Sequence, residues 1–256
     1  MYKHKMKHLN KIVIIGAGHA GVQAAASLRE NKYLGDIFIF DKDSNLPYQK
    51  PPLSKKFLLS EENNPSLLRS EEWYKNNNIK LLKNNTILKI DRIKKNVINL
   101  NGTVFHYDKL IIATGSKNKI LNDLDPEEYT NLINLRTFND SVRLKNLILK
   151  SKNIVIIGAG FIGLEVAASA RSLGKNVTIL ESDTKVMGRN ISDQLSKWYI
   201  QYHKKKGVNF LFNETITSIK TNKKMINSIQ TSKKNNLKID CLLTAIGSYP
   251  NTTLAN

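Results

Sequence analysis

Two stretches of the chain carry the same pattern of apolar and polar positions. Residues 11–21 read KIVIIGAGHAG and residues 153–163 read NIVIIGAGFIG. Each opens on an unbroken apolar run with no polar alternation, which predicts a strand covered on both faces, as in a parallel sheet. Each run breaks at GxGxxG and passes into a helical period, predicting helices over Gln23 to Glu30 and over Leu164 to Leu173, the latter stopped at Gly174. A second apolar strand follows in both places, Ile37–Phe40 closed by Asp41 and Val177–Leu180 closed by Glu181. Two further strands end in glycine, one across Tyr107 to Ser116 through Ala113-Thr114-Gly115, the other across Asp240 to Gly247, and both read as buried. Between the two repeats, residues 79–107 alternate short apolar runs with Asn-rich turns and predict a small antiparallel insertion with a hairpin at Asn101-Gly102. Residues near 117–150 read as a linker. The fold class that follows is α/β: two three-layer Rossmann-like units with parallel sheets and a small antiparallel β insertion.

The repeated order of strand, glycines, helix, strand and acid has a physical purpose. Gly16 and Gly158 make the tight turn, while Gly18 and Gly160 let backbone approach a pyrophosphate. Gly21 and Gly163 let the helix pack on its strand. The phosphate then sits at a helix N-terminus, where free amides and the helix dipole favour negative charge. Asp41 and Glu181 lie 25 and 23 residues beyond the first glycine, close to the spacing at which an acid meets a ribose 2′-hydroxyl. A lone GxGxxG also marks ordinary loops, but that reading leaves the duplicated acid-ended strand unexplained. The sequence therefore predicts two dinucleotide sites. Thr114, Gly115 and Gly247, at strand ends where open α/β sheets hold ligands, join the candidate binding residues.

Composition narrows the picture. The 256 residues carry 40 Lys and Arg against 21 Asp and Glu, a net charge of +19. Only seven of the basic residues are Arg; the lysines are scattered and interleaved with asparagine. A nucleic-acid groove favours clustered Arg with aromatics in a known module, and none is present; the charge either follows from a composition biased by codon usage or serves an acidic protein partner or an anionic cofactor. No apolar run approaches the ~18 residues of a membrane span, and Ile12 to Ile15 is too short for a signal-peptide core. A cytoplasmic location is the expectation. The single cysteine, Cys241, excludes an internal disulfide or a dithiol relay within this chain. The Trp198 and Tyr202 pair reads as a packed helical stripe, His203 as a surface helix residue, and Lys204–Lys206 as a solvated helix end. No residue is expected to hold a metal.

Taken together, the paired units and their glycine-ended strands resemble the FAD- and NAD(P)H-dependent pyridine nucleotide–disulfide oxidoreductase superfamily. Leu46-Pro47-Tyr48-Gln49-Lys50-Pro51-Pro52-Leu53-Ser54-Lys55 is similar to the PYxRPPLSK segment of its ferredoxin reductases, of the putidaredoxin and rubredoxin reductase type. Tyr107-Asp108-Lys109-Leu110, Leu135-Arg136-Thr137, Gly163-Leu164-Glu165, Met187-Gly188-Arg189 and Pro250-Asn251 extend the resemblance along nearly the whole chain.

The resemblance implies FAD on the first unit and NADH on the second. It places Gly16, Gly18 and Gly21 at the FAD pyrophosphate and Asp41 at its ribose, with Asp43 a competing candidate because the family often has Gly where Asp41 aligns. Lys50, beside Pro51, replaces an Arg and keeps the charge without the bidentate fork. Lys55 and Glu165 match a Lys–Glu pair of the reacting centre, where an ammonium would stabilise charge on reduced flavin; outside the motifs they read as a solvated lysine and a helix-face acid. Glu181 and Gly163 favour NADH over NADPH, and Lys185 and Arg189 could soften that preference. Without a second cysteine, electrons would pass singly to an iron–sulfur acceptor of ferredoxin or rubredoxin type, an acidic one by the charge of this chain.

The implied organisation is an incomplete FAD domain at 1–117, an NAD(H) domain at 118–247, and at 248–256 the start of a return to the FAD domain. The family's remaining FAD segment and C-terminal interface domain do not follow Asn256, so a partner chain supplying them is an expectation. The alternative reading is a nucleotide-binding fragment or subunit of a split flavoenzyme, itself catalytically incomplete.

Overall fold

The computed structural model describes residues 10–121, 124–188 and 190–255. Contacts divide them into two compact units, the first taking 10–49, 65–116 and 250–255, the second 50–64 and 117–249.

The first unit is built on a four-stranded parallel sheet in the order Ile79–Leu82, Ile37–Phe40, Ile12–Ile15, Lys109–Ile112. The apolar run predicted to be covered on both faces is covered on both. Ile12 and Ile14 point to the helix layer, packing with Val22, Ala25 and Tyr74. Val13 and Ile15 point the other way, toward Tyr107 and toward Ile87 and Val97 of an antiparallel layer. That layer is the three-stranded sheet Ile87–Asp91, Asn96–Asn99, Val104–His106, turned at Gly102 with φ +78°. The expected insertion is therefore present but shorter than 79–107, because Ile79–Leu82 pairs in parallel with Ile37–Phe40. Its alternation was that of an edge strand, which sequence periodicity does not separate from an antiparallel one. The strand through Lys109–Ile112 was expected to be buried, yet Ile112 is 43% exposed, since this strand is the free edge of its sheet.

The second unit repeats the plan with five parallel strands, in the order Val208–Phe212, Asn176–Glu181, Asn153–Ile157, Cys241–Thr244, Leu132–Asn134. Val155, Ile157, Leu180 and Leu242 face an antiparallel layer carrying Ile226 and Ile229. Within that layer's base, the buried carboxylate of Glu214 accepts from Thr231 Oγ1 at 2.5 Å and Asn235 Nδ2 at 2.8 Å. Those bonds hold its pKa below the ordinary value, the Thr231 hydroxyl first.

The stretch near 117–150 is not a linker. It contains the strand Leu132–Asn134 and the helix Phe138–Lys150. Thr137 caps that helix in a reciprocal box, its hydroxyl accepting from Asp140 N while Asp140 Oδ2 accepts from Thr137 N at 2.7 Å. The Thr-x-x-Asp signal is legible in the sequence; Asn and Lys within the helix hid its apolar stripe.

The glycine-loop helices run over His19–Glu30 and Phe161–Ser172, starting a turn before the apolar pattern indicated because Gly18 and Gly160 serve as N-caps. The helix Asp193–Lys205 corrects one further expectation. His203 is buried, not on the surface, its ring edge-on to Phe210. Burial lowers its pKa from the usual 6.5. Trp198 and Tyr202 stack at 5.2 Å but remain about half exposed. Cys241 is fully buried, and desolvation pushes its thiol up to about 12. No helix among the described residues is long and apolar enough to cross a membrane.

Candidate functional site

In the second unit the glycine loop takes its shape from contacts that exclude a side chain. A Cβ at Gly158, where φ is +101°, would lie 2.6 Å from the Ala245 carbonyl; one at Gly163 would lie 2.1 Å from the Gly158 carbonyl. Gly160 behaves differently, for its nearest neighbour would be Ala245 O at 4.0 Å. The middle glycine thus opens a cradle at the head of the helix. The Gly160 cap uses no side-chain acceptor and the first turn holds no acid, leaving its amide end to an anion. The first unit repeats the arrangement. A Cβ at Gly16, φ +106°, would lie 2.3 Å from Ala113 O, one at Gly21 1.9 Å from Gly16 O, and one at Gly18 would meet nothing within 4 Å. Both cradles fit a pyrophosphate.

At the end of the second strand, the Glu181 carboxylate is fixed by two backbone amides and by the Ser182 hydroxyl, which donates to Oε1 at 3.2 Å. Glu181 Oε2 accepts from Ala159 N at 2.7 Å and its Oε1 from Asp183 N at 2.9 Å. Gly247 follows the neighbouring strand with φ +101°, its carbonyl accepting from Lys119 N. In the first unit Asp41 Oδ1 accepts from Asp43 N at 3.2 Å. The competing Asp43 has both carboxylate oxygens engaged, one by Tyr48 Oη at 2.8 Å and the other by Asn45. Thr114 Oγ1 donates to Asn251 O at 2.7 Å, and the Gly115 carbonyl accepts from Asn251 N at 2.8 Å. The Thr114 hydroxyl therefore braces the returning segment at 250–255.

The segment after Lys50 groups with the second unit. Pro51–Ser54 forms a 3₁₀ turn and Lys56–Leu59 a short helix, with Lys55 between them in a non-helical conformation. Ser141 Oγ donates to Leu53 O at 2.6 Å, and Ser169 Oγ to Ser54 O at 3.1 Å, tying the turn to two helices. Lys50 Nζ donates to the Arg136 carbonyl at 3.5 Å. This bracing brings Lys55 and Glu165 together: Lys55 Nζ lies 3.0 Å from Glu165 Oε1, while Ser54 Oγ donates to Oε2 at 2.5 Å. Lys55 is half-exposed and Glu165 about a quarter exposed, so the pair opens to a ligand. Glu165 stands on the second turn of the helix whose N-terminus forms the cradle.

Neither Ser54 nor Ser169 stands out in the sequence as a functional residue. Ser169 lies four residues after Glu165, hence on the same helix face; that spacing was the available signal. Arg189 lies outside the described residues. No cluster of three or more His, Cys, Asp or Glu that could hold a metal occurs among the described residues.

Against known proteins, residues 10–256 match the sequence pattern of the family described as pyridine nucleotide-disulphide oxidoreductase. The rubredoxin-NAD(+) reductase of Pseudomonas putida is 36% identical over 245 residues, covering 95% of this chain and 63% of its own. The rhodocoxin reductase of Rhodococcus erythropolis is 35% identical over 248 residues, covering 95% and 57%. Among solved structures, the ferredoxin reductase for the CYP199A2 system from Rhodopseudomonas palustris gives a TM-score of 0.91 at 34% identity, over 96% of this chain and 61% of its own. Putidaredoxin reductase, in its covalent complex with putidaredoxin, gives 0.91 at 29% identity over 96% and 60%. The chain thus spans roughly three fifths of these relatives.

Proposed function

The chain belongs to the pyridine nucleotide-disulphide oxidoreductase family, and from that premise we propose that it works in a flavin-dependent NADH oxidoreductase of the ferredoxin reductase type. In this reading hydride passes from NADH to FAD, and electrons pass on to an acidic iron–sulfur protein of ferredoxin or rubredoxin type. The reaction is cytoplasmic. The observation that carries the proposal is the Lys55–Glu165 pair, braced by Ser54 one helical turn beyond the open cradle at Gly160.

FAD, when bound, supplies the two-electron acceptor that can release its electrons singly. The chain's own residues do the rest. Gly16, Gly18 and Gly21 receive the FAD pyrophosphate, with Thr114 and Gly115 at the neighbouring strand end. Asp41 takes the ribose, with Asp43 the competing candidate beside it. Gly158, Gly160 and Gly163 receive the NADH pyrophosphate, with Gly247 at the adjacent strand end. Glu181 accepts from the adenosine 2′-hydroxyl and repels a 2′-phosphate. Lys55 holds positive charge at the nicotinamide end, and Glu165 orients it.

A visible spectrum of the purified chain tests the reading: flavin bands that bleach when NADH is added support it. A second reading is favoured by one observation. The first sheet has four strands with Lys109–Ile112 partly uncovered, where the second has five. In that case the chain is a nucleotide-binding part that needs a further segment or partner chain, and it purifies colourless while still binding NADH.

A further inference from the structure

The loop after Glu181 is fixed from several sides. Glu181 binds Ala159 N, and Met187 N donates back to Ala159 O at 3.0 Å, so both ends of 181–187 are tied to one residue of the glycine loop. Val186 O accepts from the buried Ser196 hydroxyl at 2.9 Å. The loop therefore forms a set rim beside the acid that faces the ribose. Lys185 is the described cation on this rim, and its position is equally set. A Cβ at Gly188 would stand 3.1 Å from Lys185 Cε and 3.0 Å from Asp183 Oδ2, so the lysine stem lies across Gly188 with Asp183 alongside. From there Lys185 Nζ reaches Asp193 Oδ1 at 2.7 Å, in the first turn of the helix capped by Ser192. The hydrogen bond to Asp193, and after it the charge of Asp193, raises the lysine pKa and lowers that of the aspartate.

We propose that Asp193 is a specificity-determining residue, which pairs with Lys185 and so withholds from a dinucleotide 2′-phosphate the cation that could receive it. A 2′-phosphate needs a positive partner, and here it would meet Glu181 directly and a lysine already neutralised by Asp193. A 2′-hydroxyl needs only the carboxylate. The rim thus adds to the discrimination that Glu181 begins. This inference rests on reading 158–181 as a dinucleotide site.

The test titrates NADPH and NADH separately into the full 256-residue chain at low ionic strength, following nucleotide fluorescence, so it does not depend on bound flavin. In Asp193→Asn the ratio of the NADPH to the NADH dissociation constant should fall by about twofold to fivefold, the scale of an exposed ion pair, and raising the salt should erase the change. In the double variant D193N/K185A the gain should vanish. A D193N ratio equal to that of the parent, with or without a change in melting temperature, overturns the inference and reduces Asp193 to a helix-terminus residue. A gain that persists without Lys185 also overturns it, because another cation is then responsible. If the parent chain binds neither nucleotide, the proposed function itself fails and this inference with it.

Discussion

Glu165 divides its two oxygens between two partners, Lys55 Nζ at 3.0 Å and Ser54 Oγ at 2.5 Å. Replacing it by Gln keeps the size and a hydrogen-bonding oxygen but removes the charge that holds Lys55. Under the proposed function, Glu165→Gln should slow NADH-dependent bleaching of the flavin by about 100-fold, with an unchanged circular dichroism spectrum; equal stopped-flow rates would remove Glu165 from the reacting centre. Ser54→Ala should slow it less, by about tenfold, since only the orientation of the carboxylate loosens. His203 makes a separate prediction. Burial holds its folded pKa below 6.5, so the unfolded chain binds the proton more readily. Stability from this residue is complete above pH ~6.5 and declines as pH falls through the folded pKa. Denaturant midpoints should therefore drop less between pH 7 and 5.5 in His203→Phe than in the parent. The PPLSK and GLE motifs made Lys55 and Glu165 legible. The Ser54 contact joins residues 111 apart in the chain, and no local pattern encodes a meeting at that separation.

At the scale of elements, the glycines of one loop should respond in opposite ways. Gly163→Ala drives a methyl to within 2.1 Å of the Gly158 carbonyl, a backbone atom that cannot step aside. It should destabilise the second unit by about 2 kcal/mol or more, visible as a lowered melting temperature. Gly160→Ala meets nothing closer than 4.0 Å and should melt near the parent temperature while losing NADH affinity, because its methyl fills the cradle. If both variants melt alike, the packing role assigned to Gly163 is wrong. The glycine-loop strands and helices were legible because apolar runs covered on both faces have no polar alternation to confuse them. The helix Phe138–Lys150 was missed although Thr137 and Asp140 spell its cap, for its stripe of Phe138, Leu144 and Ile148 is diluted by Asn and Lys. Edge strands such as Ile79–Leu82 were misassigned because half-burial gives the same alternation in parallel and antiparallel pairing.

For the molecule as a whole, the charge of +19 bears on partners and leaves the fold indifferent. If the acceptor is an acidic iron–sulfur protein, its reduction rate should fall as ionic strength rises beyond about 0.1 M, where the Debye length nears 10 Å. The bleaching of bound flavin by NADH should be far less sensitive to salt. A salt-independent acceptor rate would make the lysines compositional. What the residues by themselves determined is the duplicated plan: two parallel sheets, two glycine loops and two strand-ending acids, each a local pattern whose period or spacing follows from backbone geometry. The absence of a dithiol route within this chain was likewise settled by one cysteine. What only the tertiary structure decided depends on which distant segments meet. That includes the side of His203 that packs, the neutralisation of Lys185 by Asp193, and the free edge at Lys109–Ile112. It also includes the grouping of the Lys50–Lys55 segment with Glu165. Such pairings depend on how packed layers bring remote backbone together, and the periodicity of any single stretch carries no record of its partner.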